Sequence, residues 1–125
     1  MKILGIDPGL AIVGWGVIEY KNSKVKTIGY GSIETPAHIP TEERLLLIYK
    51  GLKQLIDTYH PDQMAVEELF FNNNAKTALT VGQARGVIIL AAVQKPARYV
   101  GREYNAVMKN VEPLQSLRKF LIWGA

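Results

Sequence analysis

The chain has 125 residues, 48% of them hydrophobic and 21% charged, with a formal net charge of +4. That length fits one domain, which buries roughly two thirds of its extended surface, and the composition argues against disorder. Cysteine is absent and His38 and His60 are the two histidines, which excludes disulfides, zinc–cysteine sites, iron–sulfur clusters and cysteine nucleophiles and leaves little for a histidine-based site. The lack of cysteine agrees with a cytoplasmic protein. The longest apolar run, Gly86 to Val93, is eight residues, short for a bilayer span, and the opening MKILGIDPG lacks a signal-peptide core, so no membrane partner is expected. The charge is uneven: residues 1–95 hold ten Lys/Arg against nine Asp/Glu, whereas residues 96–125 hold five against two. A basic bias permits phosphate contacts without proving them.

The elements follow in chain order. Residues 2–7, KILGID, form a short apolar run ended by Pro8-Gly9 and predict a buried strand. Residues 12–20, IVGWGVIEY, predict a second strand, and Val25 to Glu34 a third, with Asn22-Ser23 as the turn between them. These three make an antiparallel meander, and Gly14, Gly16, Gly29 and Gly31 mark bulges or close backbone approach. After the loop from Pro36 to Pro40, Thr41 offers an N-cap, with Glu42 and Glu43 at the positive end of a helix. Leu45, Ile48, Tyr49, Leu52, Leu55, Ile56 and Tyr59 lie on one face of that helix, and His60-Pro61 ends it. Residues 63–69, QMAVEEL, predict a fourth strand, parallel to the first because a helix separates them. Residues 75–94 predict a second helix, with small residues at Gly82, Ala84, Gly86, Ala91 and Ala92 that permit close approach of another backbone. In the tail, 114–123 reads as a short helix.

Strand alternation places Ile3, Gly5 and Asp7 on one face, and Ala65, Glu67 and Leu69 on one face of the fourth strand. If those strands are adjacent and parallel, Asp7 and Glu67 meet at their carboxyl ends, where open α/β sheets place ligands. Two carboxylates there repel unless a cation lies between them, and oxygen donors suit Mg²⁺ or Mn²⁺. Glu68 is the neighbouring acid. Phe70 and Phe71 follow in a polar loop, FFNNN. Aromatics beside such a site either stack on unpaired bases or pack under the next helix. Residues 72 to 76, including Asn72, Asn74 and Lys76, are placed to contact phosphate.

GIDPGL, followed by GWGVI, YGSIET, PDQMAVEELFFNNN and TVGQARGVIILAAVQ, resembles the RuvC-type Holliday-junction resolvases over about residues 1–95. The resemblance implies a ribonuclease-H-like α/β fold with a mixed sheet, a homodimer, Mg²⁺ dependence, and symmetric nicking of four-way junction DNA in recombination and repair. It implies a branch-migration helicase complex as a further partner. Its first two catalytic, metal-binding acids fall on Asp7 and Glu67. An aromatic of the Phe70-Phe71 pair falls at the junction centre, and Gln83, Arg85 and Gly86 fall in a segment read as partly dimer-facing, with Arg85 a DNA-binding candidate.

The remaining acids implied by the resemblance belong near a C-terminus, yet the aspartates here are Asp7, Asp57 and Asp62. Nor is there a match to the family's basic glycine-rich segment. Residues 1–95 thus read as a ribonuclease-H-like core, and 96–125 as a divergent basic tail that forms no independent domain. A frameshift after Lys95, a divergent inactive homologue, or substitution by Glu103 or Glu112 would each account for the departure. The expectation is impaired cleavage. The same fold also suits a non-catalytic DNA-binding or dimerisation module. An actin-like phosphotransferase fragment fits poorly, because Leu10-Ala11 supplies no hydroxyl after Gly9 of the first loop.

Overall fold

The computed structural model describes residues 1–67, 75–94 and 120–121. Five strands and two helices follow the order β1 (Lys2–Asp7), β2 (Ile12–Lys21), β3 (Lys24–Glu34), α1 (Thr41–Tyr59), β4 (Gln63–Glu67), α2 (Ala75–Val93) and β5 (Phe120–Leu121). They form one mixed sheet in the order β3-β2-β1-β4-β5. β1, β2 and β3 are an antiparallel meander, and β4 runs parallel to β1. β5 pairs antiparallel with β4. Phe120 and Leu121 are therefore extended, which corrects the expected helix at those two positions; the rest of 114–123 lies outside the described residues. β5 pairs with the edge of β4 that β1 leaves open, a tertiary pairing that local sequence pattern does not reveal.

Alternation along the strands divides the sheet into two faces. Leu4, Ile6, Val13, Val17, Met64 and Val66 are buried and join Ile48, Leu52 and Ile56 of α1 and Ala84, Ile88, Ala91 and Ala92 of α2 in one core. Both helices thus cover the same face. Gly5, Asp7, Gly14, Gly16 and Glu67 belong to the opposite face.

A turn, a bulge and a clamp set this geometry. Asn22 and Ser23 both take positive φ (54° and 61°), the geometry that lets a two-residue turn follow strand twist. A bulge at Val17/Ile18 then shifts the β2–β3 register. At the other end, the Lys2 amide donates to Asp62 Oδ2 and the Asp62 amide donates to the Lys2 carbonyl, each at 2.8 Å. This reciprocal clamp fixes where β4 begins alongside β1.

Helix α1 ends as expected. His60 is left-handed (φ 49°), and its amide donates to the Ile56 carbonyl. Its start differs, because Pro40 is the N-cap and no side chain caps the helix. Thr41 is already inside the first turn, and the Glu43 and Arg44 amides donate to the Pro40 carbonyl. By length and composition alone helix α2 would also pass for a membrane span. Its buried Ala84, Ile88, Ala91 and Ala92 pack in the domain core, so it serves as a core helix. Ala92 is turned into this core and is not available to a second chain.

Candidate active site on the β1–β4 strand ends

The parallel ladder pairs Ile3 with Gln63, Leu4 with Met64, Gly5 with Ala65 and Ile6 with Val66. One step further along both strands stand Asp7 and Glu67. They close adjacent strands at their carboxyl ends and share the face opposite the helices. Asp7 is exposed and Glu67 half-buried. The strand pairing that sequence reasoning required is present.

The loop leaving Asp7 is braced by two elements. Thr35 is buried, its amide donates to the Ala11 carbonyl at 2.9 Å, and its hydroxyl donates to the Leu10 carbonyl. Arg44 of α1 reaches back, Nε donating to Thr35 Oγ1 at 2.8 Å. A β3 terminus and a helix thereby hold the segment just after the acid. The Thr35–Arg44 pair escaped sequence reasoning, since a Thr at a strand end and an Arg in a helix carry no signal until tertiary structure joins them.

Gly9 completes the turn. A Cβ there would lie 2.3 Å from the Ile12 carbonyl oxygen, a backbone atom that cannot swing aside. Gly9→Ala is therefore expected to displace the Asp7–Pro8 turn and destabilise the fold by about 1–3 kcal/mol, the usual range for overpacking. Urea unfolding monitored by circular dichroism checks this, and an unchanged midpoint would contradict it.

On the other side, Arg85 of α2 is half-buried, and its Nε donates to the Glu67 carbonyl at 3.4 Å. The guanidinium thus ties α2 to the last residue of β4. Lys76 is exposed in the first turn of α2. Glu68, Phe70, Phe71, Asn72 and Asn74 lie outside the described residues. The structure accordingly sets Asp7 and Glu67 at adjacent strand ends and Arg85 against the Glu67 backbone.

Among the described residues no group of three or more His, Cys, Asp or Glu is placed to hold a metal ion. The donor set present is two carboxylates on one face. It fits a hard cation that keeps much of its water, since Mg²⁺ is commonly held by one or two carboxylates. Asp7 also lines an open trough of ≈ 350 Å³ whose floor includes Gly5, Gly14 and Gly16.

The family model for crossover junction endodeoxyribonuclease RuvC matches residues 3–114, running past residue 95 where the motifs above stop. The RuvC of Clostridioides difficile is 60% identical over 91 residues, covering 73% of this chain and 54% of the relative. That of Brevibacillus brevis is 58% identical over 92 residues, covering 74% and 55%. Among solved structures, T. thermophilus RuvC in complex with Holliday junction substrate superposes with a TM-score of 0.70 at 30% identity, covering 75% of this chain and 58% of that one. The chain spans about half the length of the curated relatives it matches.

Proposed function

This chain belongs to the RuvC family of crossover junction endodeoxyribonucleases, and we propose that it engages four-way junction DNA with a phosphodiester seated at Asp7 and Glu67. The observation that carries the reading is the β1–β4 register, which aligns the two acids at adjacent strand ends. The likeness to the T. thermophilus protein, whose structure contains a Holliday junction, supports the substrate class. Asp7 and Glu67 are the residues that would hold Mg²⁺ or Mn²⁺. A divalent ion bound there would polarise the phosphate and acidify a bound water. Residues 1–95 act as the ribonuclease-H-like core under this reading, and 96–125 as a basic appendage.

The protein side of the chemistry is positional. Thr35 and Arg44 hold the loop behind Asp7. Arg85 holds the strand end that carries Glu67. Phe70 or Phe71 stacks on an unpaired base, with Asn72, Asn74 and Lys76 near phosphates.

Chain assembly follows the two-fold demand of a junction cut symmetrically. We place a homodimer contact on the outer face of α2. Leu79 (64% exposed), Leu90 (50%) and Val93 (53%) lie there uncovered among the described residues, and a Cβ on Gly86 would meet nothing within 4 Å. A glycine inside a helix costs roughly 0.5–1 kcal/mol relative to alanine, so its presence where the chain itself leaves room fits a partner backbone. Sedimentation at high concentration is expected to show a dimer that Leu90→Lys dissociates; a monomeric parent chain would contradict this. A cytoplasmic location beside a branch-migration helicase accompanies the reading.

With two acids in place, the charge available to hold two ions that serve both attacking and leaving oxygens is reduced. A chain of these 125 residues is therefore expected to bind junctions while nicking them little. The test is a gel shift and a cleavage assay on a labelled four-way junction with Mg²⁺ or Mn²⁺. Binding should fall steeply from low to physiological salt, as phosphate contacts release counterions. Symmetric nicking at enzyme-like rates, abolished by Asp7→Asn, would show instead that this chain supplies the further ligands. Binding that ignores salt would remove the electrostatic basis of the proposal. Junction binding with no nicking under any metal favours the alternative, a DNA-binding module of the same fold.

A further inference from the structure

Gly14 and Gly16 sit in the interior of β2, where glycine weakens a strand. Packing does not require them. A Cβ on Gly14 would lie 3.6 Å from Asp7 Cβ, and one on Gly16 would lie 3.9 Å from the Gly29 carbonyl and 4.0 Å from Tyr30 Cβ. These are ordinary contacts. Neither residue takes a positive φ of the kind that side chains avoid. The contrast is Gly51, where a Cβ would come within 2.9 Å of Ile33.

What the two glycines do provide is an open floor. They lie beside Gly5 on the Asp7 face and line the trough that ends at Asp7. Tyr30 pairs with Gly16 across β2–β3, so it stands on the same face at the outer edge of that floor. It is 81% exposed, the highest value among the large hydrophobics of the described residues. A single exposed aromatic is unremarkable by itself. Here it borders a glycine-rich trough, lined also by Trp15 and Ile18, that reaches Asp7.

We infer that this glycine-floored trough is a subsite for the DNA strand adjoining the phosphate at Asp7, with Tyr30 stacking on one of its bases. The inference rests on the function proposed above. A phosphate held at Asp7 belongs to a continuous strand, whose neighbouring nucleotides need a path across this face. Tyr30 lies two strands across and two residues back from Asp7, about 12 Å away at the usual strand spacing and rise. That is about three to four nucleotides when stacked at ~3.4 Å each, and fewer when the strand is extended. The residue types suit the task, because an aromatic ring stacks on any base and glycines in the floor let a sugar–phosphate backbone approach closely.

The experiment uses the whole chain and a four-way junction carrying 5-iodouracil at successive positions beside the junction centre. Irradiation is expected to cross-link one or two of these positions to Tyr30, as mapped by mass spectrometry. Tyr30→Ala should weaken junction binding by about five- to a hundredfold, Tyr30→Phe should retain it, and Gly16→Val should weaken it by filling the floor. Circular dichroism verifies that each variant is folded, and Tyr30→Ala, at an exposed position, keeps the test valid if Gly16→Val does not fold. If the parent chain binds the junction while Tyr30→Ala binds equally well without a Tyr30 cross-link, the subsite is wrong and the proposed function stands. If the parent chain binds no junction at all, both are overturned.

Discussion

Truncating Leu52 to alanine should lower the unfolding free energy by about 2–5 kcal/mol, the range for a fully buried leucine whose surroundings relax only in part. Leu52 lies on the buried stripe of α1 between Ile48 and Ile56 and is wholly inaccessible to solvent. It belongs to the core shared with Leu4 and Ile6 of β1, Met64 and Val66 of β4, and Ile88 of α2. Removing it leaves a cavity where helices and both site-bearing strands come together. The urea midpoint of the Leu52→Ala chain measures the effect, read with the slope of the transition to confirm that both chains expose similar surface. A loss below about 1 kcal/mol would mean that α1 does not seal this face of the sheet, since surface substitutions fall in that small range.

Much of this architecture is legible from local pattern. β1 announces itself as an apolar run closed by Pro8-Gly9, and α1 as a long amphipathic stripe closed by His60-Pro61. Each depends on a residue's own preferences or on near neighbours. The Asp7–Glu67 juxtaposition was also legible, because strand alternation and a helical crossover leave few ways to place two strand-end acids.

Other features depend on contacts between distant segments. Thr41 looks like a helix cap because a hydroxyl precedes two glutamates, yet the chain enters α1 through Pro40, whose carbonyl takes the first amides. The Thr35–Arg44 brace joins a strand end to a helix across a loop. Tyr30 could not be assigned to a face by counting alternate residues, since the bulge at Val17/Ile18 pairs Gly29 with Val17 and Thr27 with Ile18, leaving Ile28 between them. One extra residue reverses every facing on one side of it. The β4–β5 pairing is two residues long, too short to carry a pattern of its own.

The central claim is that Asp7 and Glu67 act as one cation-binding pair. Each carboxylate should then be worth at least about a hundredfold in divalent-ion affinity, since residues merely supporting metal ligands are worth 10–100-fold. The two losses should not add. Once one acid is gone, removing the other takes little more from a site already broken. In the absence of metal, Asp7→Asn should not destabilise the fold, because two neighbouring carboxylates repel. The direct measurement is Mn²⁺ titration by electron paramagnetic resonance on the parent chain, Asp7→Asn, Glu67→Gln and the double variant. The account predicts one site in the parent, the same large loss in either single variant, and little further loss in the double. Unchanged Mn²⁺ affinity in either single variant, or two full losses that add in the double, would contradict it.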